Sequence, residues 1–338
     1  MFGFSSFAHY YCLIRLSQRK HLNRRIIMAN IADNITELIG KTPLLRINHL
    51  YPDSQATVLA KLEYFNPASS VKDRIALAII EEAEHSGALQ PGGTIVESTS
   101  GNTGIGLALA GTSRGYKVII TMPETMSVER RVLMRLLGAQ LVLTPAAEGV
   151  AGSVRKAEEI VAATEGAILA DQFGNSANPH AHYTTTGPEI WADTDGAIDA
   201  LVAGMGTGGT ISGAGRYLKE RNPHITIFGA EPAESPLVSG GAAGPHKIQG
   251  WGPNFVPSNI DRSIIDEILL VPGDEAISLA RQAAWKEGIL TGISGGGALH
   301  AAGQVAARPE FAGKTIVVVI ADTAERYLST ALVEGLGE

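Results

Sequence analysis

From residue 57 onward, short apolar runs alternate with segments whose apolar residues recur every three to four positions. "TVLAKLE" (57–63) reads as a strand, and Asp73 to His85 as a helix carrying Ile75, Leu77, Ala78, Ile79 and Ala83 on its apolar face. "TIVE" (94–97) predicts the next strand, followed by a glycine-rich turn and a helix from about Thr103 to Arg114. "KVIIT", "QLVLT" and "AILA" are further strands, separated by helices near 127–137 and 153–164. "IDALVA", "ITIFGAE", "DEILLV" and "KTIVVVIA" continue the rhythm in the second half. Such alternation with short connections predicts an α/β fold of mostly parallel, doubly wound sheets. Two sheet-forming halves are expected, with a cofactor in the crevice between them. About 233–262 the chain is rich in Gly, Pro and Ser and has no period, which predicts a functional loop.

Composition narrows the classes. At 338 residues the chain can carry two domains or one bilobal unit. Its 45% hydrophobic and 18% charged residues suit an ordinary soluble core. No apolar stretch approaches the roughly 20 residues of a membrane span. The net charge of −7 hides an asymmetry, because residues 1–29 hold Arg15, Arg19, Lys20, Arg24 and Arg25 and no acidic residue. The remaining body is therefore more acidic still, which argues against nucleic-acid binding.

The leading segment is not a secretory signal, since its apolar part precedes its basic part. We read it as an extension outside the fold, upstream of a start at Met28, in a cytoplasmic protein; an organelle presequence is the alternative. The single cysteine, Cys12, lies in that extension. The body can therefore build no disulfide framework, thiolate nucleophile or cysteine metal site, and no metal is expected. A reducing compartment follows.

Three strand-to-helix loops concentrate candidate chemistry, where α/β folds bind ligands. In "NPASSVKDR" (66–74), Lys72 stands at the expected start of a helix. A lysine near a positive helix end is disfavoured as a cation, so its pKa falls and a free amine able to form an imine is favoured. In "STSGNTGIG" (98–106), Thr99, Ser100, Asn102 and Thr103 gather donors at a helix N-terminus, a setting for a small anion. In "GMGTGGT" (204–210), Gly204, Gly206 and Gly209 fall on a G-x-G-x-x-G frame, with Glu231 where a dinucleotide site has its acidic residue. That frame permits a nicotinamide dehydrogenase. However, Thr207 and Thr210 add two hydroxyls, which suit a terminal monophosphate better than a pyrophosphate.

Six loops, "NPASSVKDR", "STSGNTGIG", "DQFGNSANP" (171–179), "GMGTGGT", "HKIQGWG" (246–252) and "GISGGGA" (292–298), occur in an order that resembles the cysteine synthase family. These are O-acetylserine sulfhydrylases, fold type II enzymes dependent on pyridoxal 5′-phosphate (PLP). The likeness runs from about residue 31 to 331. It implies a tryptophan synthase β-like fold with two doubly wound domains, 30–65 plus 176–338 and 66–175, and PLP between them. It also implies replacement of the acetoxy group of O-acetyl-L-serine by sulfide through an α-aminoacrylate, giving L-cysteine and acetate.

Carried over residue by residue, Lys72 matches the family's Schiff-base lysine and Asn102 the residue at the PLP 3′-oxygen. Thr99, Ser100, Thr103 and Gln172 match the substrate-carboxylate site. Gly206, Thr207, Gly208, Gly209 and Thr210 match the phosphate cup, and Ser294 the serine facing the pyridine nitrogen. A hydroxyl there cannot keep the ring protonated as an Asp would, which favours β-elimination over transamination.

The resemblance further implies a homodimer, and docking of a serine acetyltransferase C-terminal tail in the Thr99–Thr103 loop. The family pattern is not uniform. Ser294-Gly295 stands where many relatives have two serines, and "ADTAERY" (321–327) replaces a Pro-containing turn. "AHYTTTGPEIW" is similar to a thiosulfate-accepting branch, while "HKIQG" is similar to the sulfide-using one. The sulfur donor, and the choice between O-acetylserine and O-phosphoserine, stay open. Cystathionine β-synthase is the nearest alternative, although its catalytic regions usually carry an acidic residue at Gln249.

Overall fold

A computed structural model describes residues 31–337, so the extension, Cys12 and Met28 lie outside the described residues. The chain enters through β1 (Leu44–Arg46), which runs antiparallel to β2 (Thr57–Leu62). Three residues, two of them exposed, leave β1 without an apolar pattern to read. Then come α1 (Lys72–His85), β3 (Thr94–Ser98), α2 (Asn102–Ser113), β4 (Lys117–Pro123) and α3 (Val128–Leu136). The segment closes with β5 (Gln140–Thr144), α4 (Gly149–Ala163) and β6 (Ala167–Leu169). Strands β3 to β6 form one parallel sheet in the order β5-β4-β3-β6.

The second half opens with α5 (Ala177–Ala181), a π-helical turn at His182–Thr186, and α6 (Gly187–Asp193). It continues through β7 (Ala200–Gly204), α7 (Gly209–Arg221), β8 (Thr226–Pro232) and β9 (Glu267–Val271). Helices α8 (Gly273–Glu287) and α9 (Ile293–Ala306) lead to β10 (Thr315–Ile320). The resulting sheet has the order β1-β2-β10-β7-β8-β9, parallel except at β1.

Burial explains the strand sequences. β10 lies between β2 and β7, with Ile316 opposite both Val58 and Ala200, and residues 316–320 are all buried. A central parallel strand covered on both faces reads as a continuous apolar run, as "IVVVI" does.

Two expectations need correction. "GISGGGA", read as a loop, forms the first turns of α9, because glycine lets that helix approach α8. A Cβ on Gly296 would lie 2.0 Å from the Ala276 carbonyl oxygen. Glu231 is no ribose ligand: it is 2% exposed and accepts from the backbone of Val238 and Ser239, each at 2.9 Å. Its carboxylate is committed to folding the long 233–262 loop. The dinucleotide reading loses its acidic residue.

Both sheets change winding direction at the same kind of place. β7 is followed to one side by β8 and β9 and flanked on the other by β10, while β3 has β4 on one side and β6 on the other. In open α/β sheets such switch points, at the carboxyl ends of strands, are where ligands sit. The loops after β3 and β7 are the ones that carry donors.

Candidate active site

Lys72 is the first residue of α1, and the fold pins that helix start to the end of β10. The Val71 N–H donates to the Ala321 carbonyl at 2.8 Å, and Ser70 bridges to Asp322. The carboxylate of Asp73 accepts from the Ala68 N–H at 2.5 Å and the Ser70 hydroxyl at 3.3 Å, tying the loop to the helix.

Deeper, Arg74 makes a two-pronged contact with Glu63, at 2.7 and 3.0 Å, and another with Glu189, at 2.7 and 2.8 Å. Lys61, fully buried, joins the cluster at 3.0 Å from Glu189. Burial alone would raise the pKa of Glu189, yet the Arg74 and Lys61 cations hold it at about 2. A buried cluster this complete fixes α1 against β2 and α6, since stripping one partner would leave an uncompensated charge.

Eleven of the twelve residues singled out from sequence line one cleft of about 560 Å³: Lys72, Thr99, Ser100, Asn102, Thr103, Gln172, Gly206, Thr207, Gly208, Thr210 and Ser294. Gly209 does not line it; it packs on Asn178 and opens α7. Helices α1, α2, α7 and α9 all begin at this cleft; the Lys72 N–H of α1 donates to the Ser70 hydroxyl at 3.2 Å, while α2, α7 and α9 have no side-chain cap. Their first N–H groups lack intrahelical acceptors, so the cleft collects backbone donors and the positive ends of four dipoles.

The glycines of 204–210 have distinct causes. Gly208 adopts φ +84, a left-handed conformation that favours glycine. Gly206 lies against the next loop, where a Cβ would come within 2.1 Å of the Gly250 carbonyl oxygen. Thr207 Oγ1 accepts from Asn178 Nδ2 at 2.9 Å, which leaves its own proton free. Thr210 Oγ1 pairs with His182 Nε2 at 3.2 Å. Burial, reinforced by the Arg74 and Lys72 charges, keeps the pKa of His182 well below its ordinary value, so the ring is neutral. The π-helical turn brings His182 there, an irregularity often found at functional sites.

Burial also lowers the pKa of Lys72, with the Asp322 and Glu63 carboxylates acting in the opposite sense. The helix-end argument thus gave the right direction, while burial is the leading cause. The Lys72 amine makes no hydrogen bond or ion pair among the described residues.

Sequence reasoning missed several groups at this site. Asp322 follows β10, fully buried, with its pKa raised by burial; Oδ2 accepts from Asn102 Nδ2 at 2.7 Å and from the Tyr327 hydroxyl at 2.5 Å. Arg326 donates to Asn102 Oδ1, so that amide is held at both ends. Arg130, on α3, reaches across to Gln249 in the long loop at 2.8 Å and lies over the Tyr327 ring. The rule that flagged the loops after β3 and β7 applies equally to the end of β10, and would have found Asp322.

Residues 35–322 match the family described as "Pyridoxal-phosphate dependent enzyme". Cysteine synthase of Staphylococcus aureus is 51% identical over 301 residues, covering 89% of this chain and 96% of that relative. The crystal structure of cysteine synthase from Entamoeba histolytica superposes with a TM-score of 0.88 at 43% identity, covering 90% of this chain and 91% of that one. O-ureido-L-serine synthase gives 0.87 at 42% identity, covering 91% of this chain and 97% of that one. With the fold, the ordered loops and these relatives in agreement, the chain belongs to the pyridoxal-phosphate dependent enzymes, within the cysteine synthases.

Proposed function

We propose that this protein makes L-cysteine and acetate from O-acetyl-L-serine and sulfide. The observation that carries the reading is one cleft holding an unpaired lysine at a helix start, a glycine-threonine cup and a hydroxyl-rich loop. The cleft fits PLP. A glycine cradle and a free Thr207 proton suit its phosphate, and an uncommitted second N–H on Asn102 Nδ2 suits its 3′-oxygen. The Ser294 hydroxyl has no hydrogen bond among the described residues and suits its ring nitrogen.

When bound, PLP draws electron density from the substrate's Cα, so the Cα proton becomes acidic and the β-acetoxy group can depart. Lys72 Nζ is the amine that would hold the cofactor's aldehyde carbon and, displaced by the substrate amine, take the Cα proton. Burial, which lowers the pKa of Lys72, favours the free-base form of that nitrogen. Thr99, Ser100, Thr103 and Gln172 hold the substrate carboxylate at the uncapped start of α2. Acetate leaves with the C–O electron pair, the sulfur of hydrosulfide bonds to Cβ, and Lys72 returns the proton to Cα.

The protein acts as a cytoplasmic homodimer in this reading, with residues 66–175 as the smaller domain and a serine acetyltransferase tail docking at the Thr99–Thr103 loop. Among the described residues, no helix is long and apolar enough to cross a membrane. Steady-state assay of O-acetyl-L-serine and O-phospho-L-serine, each with sulfide and with thiosulfate, tests the substrates. The highest kcat/KM is expected for O-acetyl-L-serine with sulfide. Turnover confined to homocysteine as acceptor would make the protein a cystathionine β-synthase instead.

Ser294 gives a sharper test. Ser294→Ala removes one hydrogen bond and leaves the ring unprotonated, so a loss of about 1–2 kcal/mol, roughly 5- to 30-fold in rate, is expected. Ser294→Asp favours a protonated ring and is expected to add a long-wavelength absorption band with O-acetyl-L-serine while slowing cysteine formation. Wild-type spectra and rates from the Asp variant would show that Ser294 does not face the ring nitrogen.

A further inference from the structure

Glu97 is a buried carboxyl group that the reaction above does not use. It stands on β3, 3% exposed, and no lysine or arginine pairs with it among the described residues. Its partners lie in the turn after β6. Glu97 Oε1 accepts from Gln172 Nε2 at 3.1 Å, and the backbone N–H groups of Gln172 and Asp171 also face the carboxyl. Gln172 Oε1 in turn accepts from Thr103 Oγ1 at 2.6 Å. Thr103, Gln172 and Glu97 thus form one directed chain of donors, running from the cleft into the core.

The two ends of a glutamine amide are nearly equal in size, so shape alone does not orient Gln172. Its neighbours do. Glu97 presents an acceptor, which only the nitrogen end satisfies, and the Thr103 hydroxyl supplies the donor for the oxygen end. With one Nε2 hydrogen held by Glu97, the other is the hydrogen that can meet an anion in the cleft. Reversing the amide would set its oxygen against the oxygens of Glu97. Burial pushes the pKa of Glu97 up to about 8. A protonated carboxyl keeps a bare carbonyl oxygen that still accepts from Gln172 Nε2, but its O–H could also serve a reversed amide, so the orientation is firmest with Glu97 ionised.

We propose that Glu97 is a positioning residue that fixes the Gln172 amide with its nitrogen toward the substrate, and so sets affinity for the substrate's α-carboxylate. The inference rests on Gln172 being a ligand of the substrate carboxylate. It calls for an acceptor oxygen at residue 97 facing Gln172 Nε2.

The test uses holoenzyme and two ligands that differ only at the carboxylate, L-serine and L-serinamide, followed by the change in the cofactor's visible absorption. Glu97→Met removes the acceptor at similar length and is expected to weaken L-serine about 10-fold while L-serinamide changes less than about twofold. The same split is expected in kinetics, with KM for O-acetyl-L-serine raised and kcat little changed. Glu97→Gln restores an acceptor oxygen and is expected to recover most of the lost affinity.

Gln172→Ala is expected to weaken L-serine by itself, and adding Glu97→Met to it should do nothing more, since both act through one amide. Equal weakening of both ligands by Glu97→Met, or an undiminished effect in the Gln172→Ala background, overturns the inference. If Gln172→Ala leaves L-serine binding unchanged, the carboxylate reading falls and this inference with it. If Gln172→Ala weakens L-serine and Glu97→Met does not, only the role of Glu97 falls.

Discussion

Lys72→Ala protein is expected to purify without the visible band of lysine-bound PLP, and to lose turnover by about 10³- to 10⁴-fold. No neighbour can substitute for it. Among the charged residues lining the cleft, Arg130 is committed to Gln249 and Tyr327, and Asp322 to Asn102 and Tyr327. Lys72→Arg separates charge from chemistry: a guanidinium stays protonated, so it keeps the cation but offers no free amine. Both variants should fail together. Sulfide-dependent turnover near the wild-type rate in either one would refute the assignment, and thermal melts of the two would show that the loss is chemical. The helix start itself is held by Arg74, Glu63 and Glu189, none of which the substitution touches.

Gly206→Ala should be severely damaging although it adds only one methyl group to the cleft. The added carbon would lie 2.1 Å from the Gly250 carbonyl oxygen, a backbone atom that cannot rotate away. Either the 204–210 loop or the 250–251 segment must shift. Overpacking of this kind costs about 1–3 kcal/mol in stability, and the displaced loop should retain PLP about 10- to 100-fold less tightly, by the tenfold per 1.4 kcal/mol relation. Gly101→Ala serves as the control for stability, because a Cβ there meets nothing within 4 Å. Equilibrium dialysis of PLP and a thermal melt measure both effects. Wild-type cofactor retention by Gly206→Ala would mean that the 204–210 loop does not form the cup.

What could be read from the sequence follows from the range of the interactions. Lys72 at a helix start, the donors of 98–103 and the glycines of 204–210 are local facts, each contained within one strand, turn and helix. They needed only hydrophobic period and turn chemistry. The Asp322–Asn102 contact joins residues 220 apart in the chain, and Arg130–Gln249 spans 119. Nothing in either local stretch names its partner, so that part of the site was not legible. The π-helical turn at 182–186 failed for another reason: one extra residue per turn leaves no distinct apolar period. The α9 glycines read as loop because helix propensity argues against them. Close packing against α8 overrides that preference.

The four helix ends at the cleft also bear on how ligands arrive. Their positive potential comes from peptide groups, which neither titrate nor lose their partial charge, and which act over a few ångströms inside a cleft. The molecule as a whole carries −7, and this longer-ranged field repels a phosphate or carboxylate still in solution. Dissolved salt weakens the repulsion far more than it weakens the buried attraction. Raising ionic strength from low values should therefore speed the capture of PLP by the apoprotein while its release rate stays nearly constant, the reverse of the behaviour of an anion site built from surface lysines.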